Sequence, residues 1–100
     1  MVAQNSQPRR SGLFPLGSLV ATPGALAALE RARQTPMTFL SRHVTGDWGT
    51  VCDDDKKLND QSVKDGTRIL SAYETSAGEK IWVITEADRA STTVLLPDEY

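Results

Sequence analysis

The stretch 68–100, RILSAYETSAGEKIWVITEADRASTTVLLPDEY, decides the fold. RILSAYET and EKIWVITE follow a period of two and are separated by Ser76, Ala77 and Gly78, the pattern of two strands joined by a hairpin turn. After Ala87, Asp88, Arg89 and Ala90, the β-branched run STTVLLP predicts a third strand and so an antiparallel meander. The middle strand carries apolar residues on both faces. Trp82 alternates with Lys80, Ile84 and Glu86, and Ile81 and Val83 point the other way, so each face needs a cover.

Upstream, the signals are helical. Thr22 and Pro23 supply an N-cap and a first-turn proline, and Ala25, Leu26, Ala28, Leu29 and Ala32 then recur at helical spacing up to about Arg33 or Gln34. Thr35 and Pro36 repeat that chemistry for a shorter helix reaching about His43, with Met37, Phe39 and Leu40. The two glycines of Gly46, Asp47, Trp48 and Gly49 read as a turn. Asp53, Asp54 and Asp55 place carboxylates at the start of a third helix ending at Gly66, on which Leu58 and Val63 are expected to face inward with help from Ser62. The segment LFPLGSLVAT has the content of a short extended piece, and Pro15 favours an edge position. Residues 1–12 read as a mobile tail before a single domain over 13–100. The expected fold is therefore α+β: a C-terminal three-stranded antiparallel meander packed with two to three N-terminal helices.

One hundred residues with 39% hydrophobic and 24% charged content are enough for one core. A net charge of -2 argues against broad electrostatic capture of nucleic acid. Cys52 is the lone cysteine, so no internal disulfide is needed, and no apolar run is long enough to span a bilayer. A cytoplasmic location with no membrane contact is the expectation.

His43, Asp47 and Trp48 lie within six positions, and His with a carboxylate is raw material for acid–base chemistry. Each also has a structural reading, as helix end, turn residue and core plug. Glu86, Asp88 and Arg89 cluster where a strand ends, a usual place for binding groups, and Glu86 with Asp88 could hold a cation or pair with Arg89. A solvated hairpin loop is the favoured reading, because exposed Asp and Arg are the usual loop residues. The three consecutive aspartates fit helix capping and lack the glycine and glutamate of a calcium loop. One Cys and one His leave no structural zinc site, and neither a phosphate loop nor a GxSxG elbow is present, so no metal and no cofactor are expected. Tyr73 and Trp82, on adjacent strands, could present an aromatic surface for stacked bases, or could be core.

Together, LFPLGSLVATPGALAAL, HVTGDWG, ILSAY, WVITEADR and TTVLLPDEY resemble a family of short bacterial proteins carried on plasmids and integrated mobile elements, some labelled as type I restriction enzyme modification subunits. The resemblance covers about residues 13–100 and implies an accessory-genome origin. The chain has no methyltransferase motif and is too short for a cofactor-binding α/β domain of that kind.

Two functions follow as expectations. The first is a non-enzymatic binding module, in some form a homodimer through the sheet, that contacts a protein or nucleic acid and uses Trp48, Trp82, Asp88 and Arg89. The alternative is a small metal-dependent hydrolase or nuclease with His43 as base, Asp47 or Glu86 as its partner, and Arg89 against anionic charge.

Overall fold

The computed structural model describes residues 12–100. The expected tail over 1–12 falls on positions that, Gly12 apart, lie outside the described residues. The meander forms as β2 (Ile69–Glu74), β3 (Lys80–Thr85) and β4 (Ser91–Leu95), with β2 antiparallel to β3 and β3 antiparallel to β4. The expectation of a three-stranded antiparallel sheet needs correction. The short extended piece becomes β1 (Ser18–Ala21) and adds to β4 in parallel, giving a four-stranded mixed sheet in the order β1-β4-β3-β2. Ser18 N–H donates to Ala90 O at 2.9 Å and Thr22 N–H to Val94 O at 3.0 Å. Gly17 permits this approach. At φ +67° it lies so close to the 89–90 backbone that a Cβ would sit 2.4 Å from both carbonyl oxygens.

Helices α1 (Pro23–Ala32) and α2 (Pro36–Val44) cover one face of the sheet. Ala25, Ala28, Leu29, Phe39 and Leu40 pack there on Tyr73, Ile81, Val83 and Val94. Burying a side chain of Leu29 or Phe39 size is worth about 1.5–3 kcal/mol, so this layer is the main source of cohesion. Thr22 caps α1 by accepting from Ala25 N–H at 3.1 Å, and Arg33 ends it in the left-handed region at φ 58°. Thr35 precedes α2 without a side-chain capping bond, contrary to the symmetry of the two Thr-Pro pairs.

Helix α3 (Asp53–Asp65) turns Val63 and Ser62 inward as expected and departs from the expectation at Leu58. Its buried residues are Asn59 and Ser62, and Leu58 is 63% exposed, because α3 lies along the edge of β2 and not over a face. A sheet edge offers backbone amides. Asn59 matches them with its side-chain amide, donating to Leu70 O at 2.8 Å and accepting from Leu70 N–H at 3.3 Å. Two residues on, Thr50 N–H donates to Ala72 O at 2.6 Å and Ala72 N–H to Trp48 O at 3.2 Å. Gly49, at φ +76°, makes this second closure fit, since a Cβ there would lie 1.9 Å from Ala72 O. The outward groups of Leu70 and Ala72 are thus satisfied, which blunts an edge that would otherwise template aggregation.

Beside it, Phe14, Trp48 and Ile69 form a smaller core with Val44, Val51 and Val63 around them. On the face opposite α1 and α2, Ile84 and Leu95 are buried, and Tyr100 stands edge-on to half-buried Trp82 at 5.7 Å. The turn Pro97–Glu99 is tied back to α1: Glu99 accepts from the Thr22 hydroxyl at 2.6 Å and from Leu96 N–H at 2.8 Å. These bonds hold the Glu99 carboxyl below the usual range. Among the described residues, no helix is long and apolar enough to cross a membrane.

Candidate functional site

The last turn of α2 drives His43 into the interior, where it has no exposed surface. Its Nδ1 lies 2.6 Å from Ser71 Oγ on β2 and its Nε2 2.9 Å from Thr85 Oγ1 on β3. Thr85 Oγ1 is 2.7 Å from Thr92 Oγ1 on β4, and Thr92 donates to Leu16 O at 2.7 Å. Each hydroxyl has one proton, so the direction of the whole chain follows from its end. Thr92 spends its proton on the carbonyl and accepts from Thr85, which accepts from His43 Nε2–H. Nδ1 of the neutral ring then accepts from Ser71. Phe14 and Trp48 close on the ring edge-to-face at 5.3 and 5.8 Å. Burial, helped by the charge of Arg89, brings the imidazole down to about 4. Both ring nitrogens are engaged internally, in a device that ties α2 to three strands and to the segment before β1.

The loop after β3 is also occupied. Arg89, at φ 59°, donates to Thr67 O at 2.7 Å, Ser62 O at 2.9 Å and Glu86 O at 3.1 Å, and its guanidinium lies 5.5 Å from the Phe14 ring centre. A fork of donors placed on carbonyls at the end of α3 is a C-terminal cap with the charge the dipole favours. Asp88 accepts from Ala90 N–H at 2.9 Å, which fixes the turn, and Glu86 is 3.6 Å from Arg68. Glu86 and Asp88 therefore have separate partners.

Asp47 pairs with Arg42 at 2.7 Å and accepts from Gly49 N–H at 3.1 Å. The Arg42 hydrogen bond holds its carboxyl below the usual range. Trp48 is buried, with its indole N–H on Asp60 at 2.9 Å. Tyr73 donates to Asp47 O at 2.7 Å, and burial pushes its hydroxyl up to about 12. Tyr73 lies opposite Ile81, and Trp82 opposite Ala72, so the two aromatics point to opposite faces and make no common stacking platform.

Among the described residues, one of the open concavities is uncharged and apolar, and none of the site candidates described above lines it. Between β1 and the start of α2 runs a groove of about 340 Å³ lined by Leu19, Val20, Ala21, Met37, Leu40 and Val94, with Thr35 and Pro36 at its end. None of these residues is charged. Leu19 is 52% exposed, Val20 49% and Met37 57%. The residues that build this groove were absent from the sequence-derived candidates. The signal that could have found them is two consecutive large apolar residues, Leu19 and Val20, in a segment already placed at an edge by Pro15: successive strand residues alternate faces, so one of the two must lie on the helix side of an edge strand.

No protein-family model, curated protein or solved structure matches the chain.

Proposed function

We propose that this chain is a non-enzymatic protein-binding module, of the accessory kind that its resemblance to bacterial mobile-element proteins implies. One observation carries the reading. The candidates His43, Asp47, Glu86, Asp88 and Arg89 are each engaged by groups of the chain itself, whereas Leu19, Val20 and Met37 stand half-exposed around an uncharged groove. Exposed apolar side chains gathered at a concave site are a usual mark of protein docking. A nucleic-acid ligand is less favoured, because the groove has no cation to meet phosphate and the net charge is -2.

The test compares the wild type with the double variant Leu19→Lys, Met37→Glu in affinity capture from a bacterial lysate, alongside fluorescence anisotropy with single- and double-stranded oligonucleotides. Both substitutions lie on exposed positions, so folding should survive. A protein partner retained by the wild type and lost by the variant is the expected result. Tight oligonucleotide binding unaffected by the two substitutions, or hydrolytic turnover that disappears in His43→Gln, would overturn the reading.

A further inference from the structure

We infer that the outer edge of β1 accepts an extended, uncharged peptide segment of a partner protein by strand addition, with apolar side chains at alternate positions seated in the groove beside Leu19, Met37 and Leu40. The inference rests on the protein-binding reading above and names its mode and ligand class.

The backbone supplies the first argument. Ser18 and Thr22 direct their N–H groups inward, to Ala90 and Val94 of the neighbouring segment. Alternation along a parallel ladder turns the N–H and C=O of Leu19 and Ala21 outward. Among the described residues β1 ends the sheet, and no strand lies beyond it.

Among the described residues, the two edges of this sheet are treated in opposite ways. At β2 the outward groups of Leu70 and Ala72 are consumed by the Asn59 side chain and by the backbone at Trp48 and Thr50. At β1 the sequence SLVA carries none of the charges or prolines that commonly guard an edge. The groove adds side-chain pockets to that row of backbone groups, the two components of strand-addition recognition. Its lining, free of charge, fits neutral apolar side chains and disfavours acidic or basic ones, which would lose their hydration without a partner.

Size argues for a peptide over a second copy of the chain. Four residues at about 3.3 Å each make a strand of about 13 Å. A two-fold pairing of two such strands covers only a small part of the roughly 800 Å² per partner that a stable dimer uses. A peptide is not held to that length, because it continues along the groove toward Thr35 and Pro36.

The test pans a phage-displayed library of random nonapeptides on the full chain at neutral pH. Enriched sequences should alternate uncharged apolar residues with variable ones. A synthetic acetylated and amidated representative should shift the amide resonances of Leu19, Ala21 and Met37. Ala21→Pro removes one outward N–H and leaves the inward donors, and should weaken binding at least tenfold, as should Met37→Glu, which places a charge in the groove. Leu58→Lys, on a distant exposed position, should leave affinity unchanged. Should Ala21→Pro fail to fold by circular dichroism, Met37→Glu decides alone. Peptides that bind both variants like wild type, or that shift residues around Leu58 and Trp82, would overturn the edge assignment while leaving a protein-binding module standing. An absence of enrichment would count against both. A sedimenting dimer that Ala21→Pro or Met37→Glu dissociates would give the edge to a second copy.

Discussion

Acidification tests the buried histidine most directly. The fold holds His43 as the neutral ring, at about 4 against an ordinary value of 6.5, chiefly because burial disfavours the cation. In the unfolded chain the ring protonates first as pH falls. The contribution of His43 is therefore present in full above about pH 6.5 and is lost as pH falls toward 4. A difference of this size corresponds to about 3 kcal/mol, with roughly half of it gone near pH 5. For a domain whose total stability is on the order of 5–15 kcal/mol, that loss is large. Asp47, Glu79 and Glu99, all held below their ordinary values, add their own acid lability at lower pH, so a reference variant is needed. His43→Gln keeps an amide for Ser71 and Thr85 and cannot titrate. Urea unfolding followed by tryptophan fluorescence at pH 7, 6, 5 and 4.5 should show the wild type losing its advantage over the variant across this range. The hydrogen-bond chain makes a second claim: nitrogen-correlated NMR of the imidazole at pH 7 should report Nε2–H with a bare Nδ1. Parallel stability curves for the two proteins, or an Nδ1–H tautomer, would refute the reasoning.

Two further outcomes follow from the edge and the loop. Asn59→Ala should cost about 1–3 kcal/mol in denaturant unfolding, because it strips both partners from a part-buried peptide unit at Leu70, and hydrogen exchange at Leu70 should accelerate. Arg89→Lys keeps the charge but not the fork that spans the carbonyls of Ser62, Thr67 and Glu86, so it should lower stability by about 1 kcal/mol and loosen the end of α3, read as a lower thermal midpoint and faster exchange there. An effect confined to ligand binding would show that the clamp assignment is wrong.

His43 illustrates why the candidate chemistry was hard to place in advance. Its position in the sequence, close to Asp47 and Trp48, is equally that of a catalytic base and of a helix-end residue. Its actual partners, Ser71 and Thr85, come from strands 28 or more residues away in the chain, and Thr92 extends the network one bond further. Arg89 and Glu86 present the same problem, since Arg89 reaches the carbonyls of Ser62 and Thr67 and Glu86 pairs with Arg68, all distant in the chain. Leu58 exposes a different weakness. Apolar periodicity identifies the buried stripe of a helix that lies on a sheet face, but α3 lies on a sheet edge, where the inward stripe must supply hydrogen bonds and Asn59 is the better residue.

Local physics therefore determined the pieces. The period of two over residues 69–85, the Ser76–Gly78 punctuation and the two Thr-Pro starts set strands and helices close to their observed bounds, because strand alternation, turn conformation and helix initiation depend on neighbours in sequence. Tertiary structure decided what those pieces meet. The parallel pairing of β1 with β4, about seventy residues downstream, closes a long loop whose reward is packing and backbone pairing that no local pattern encodes. Among the described residues, the same pairing makes β1 the last strand of the sheet, beside an uncharged groove lined by Leu19 and Met37.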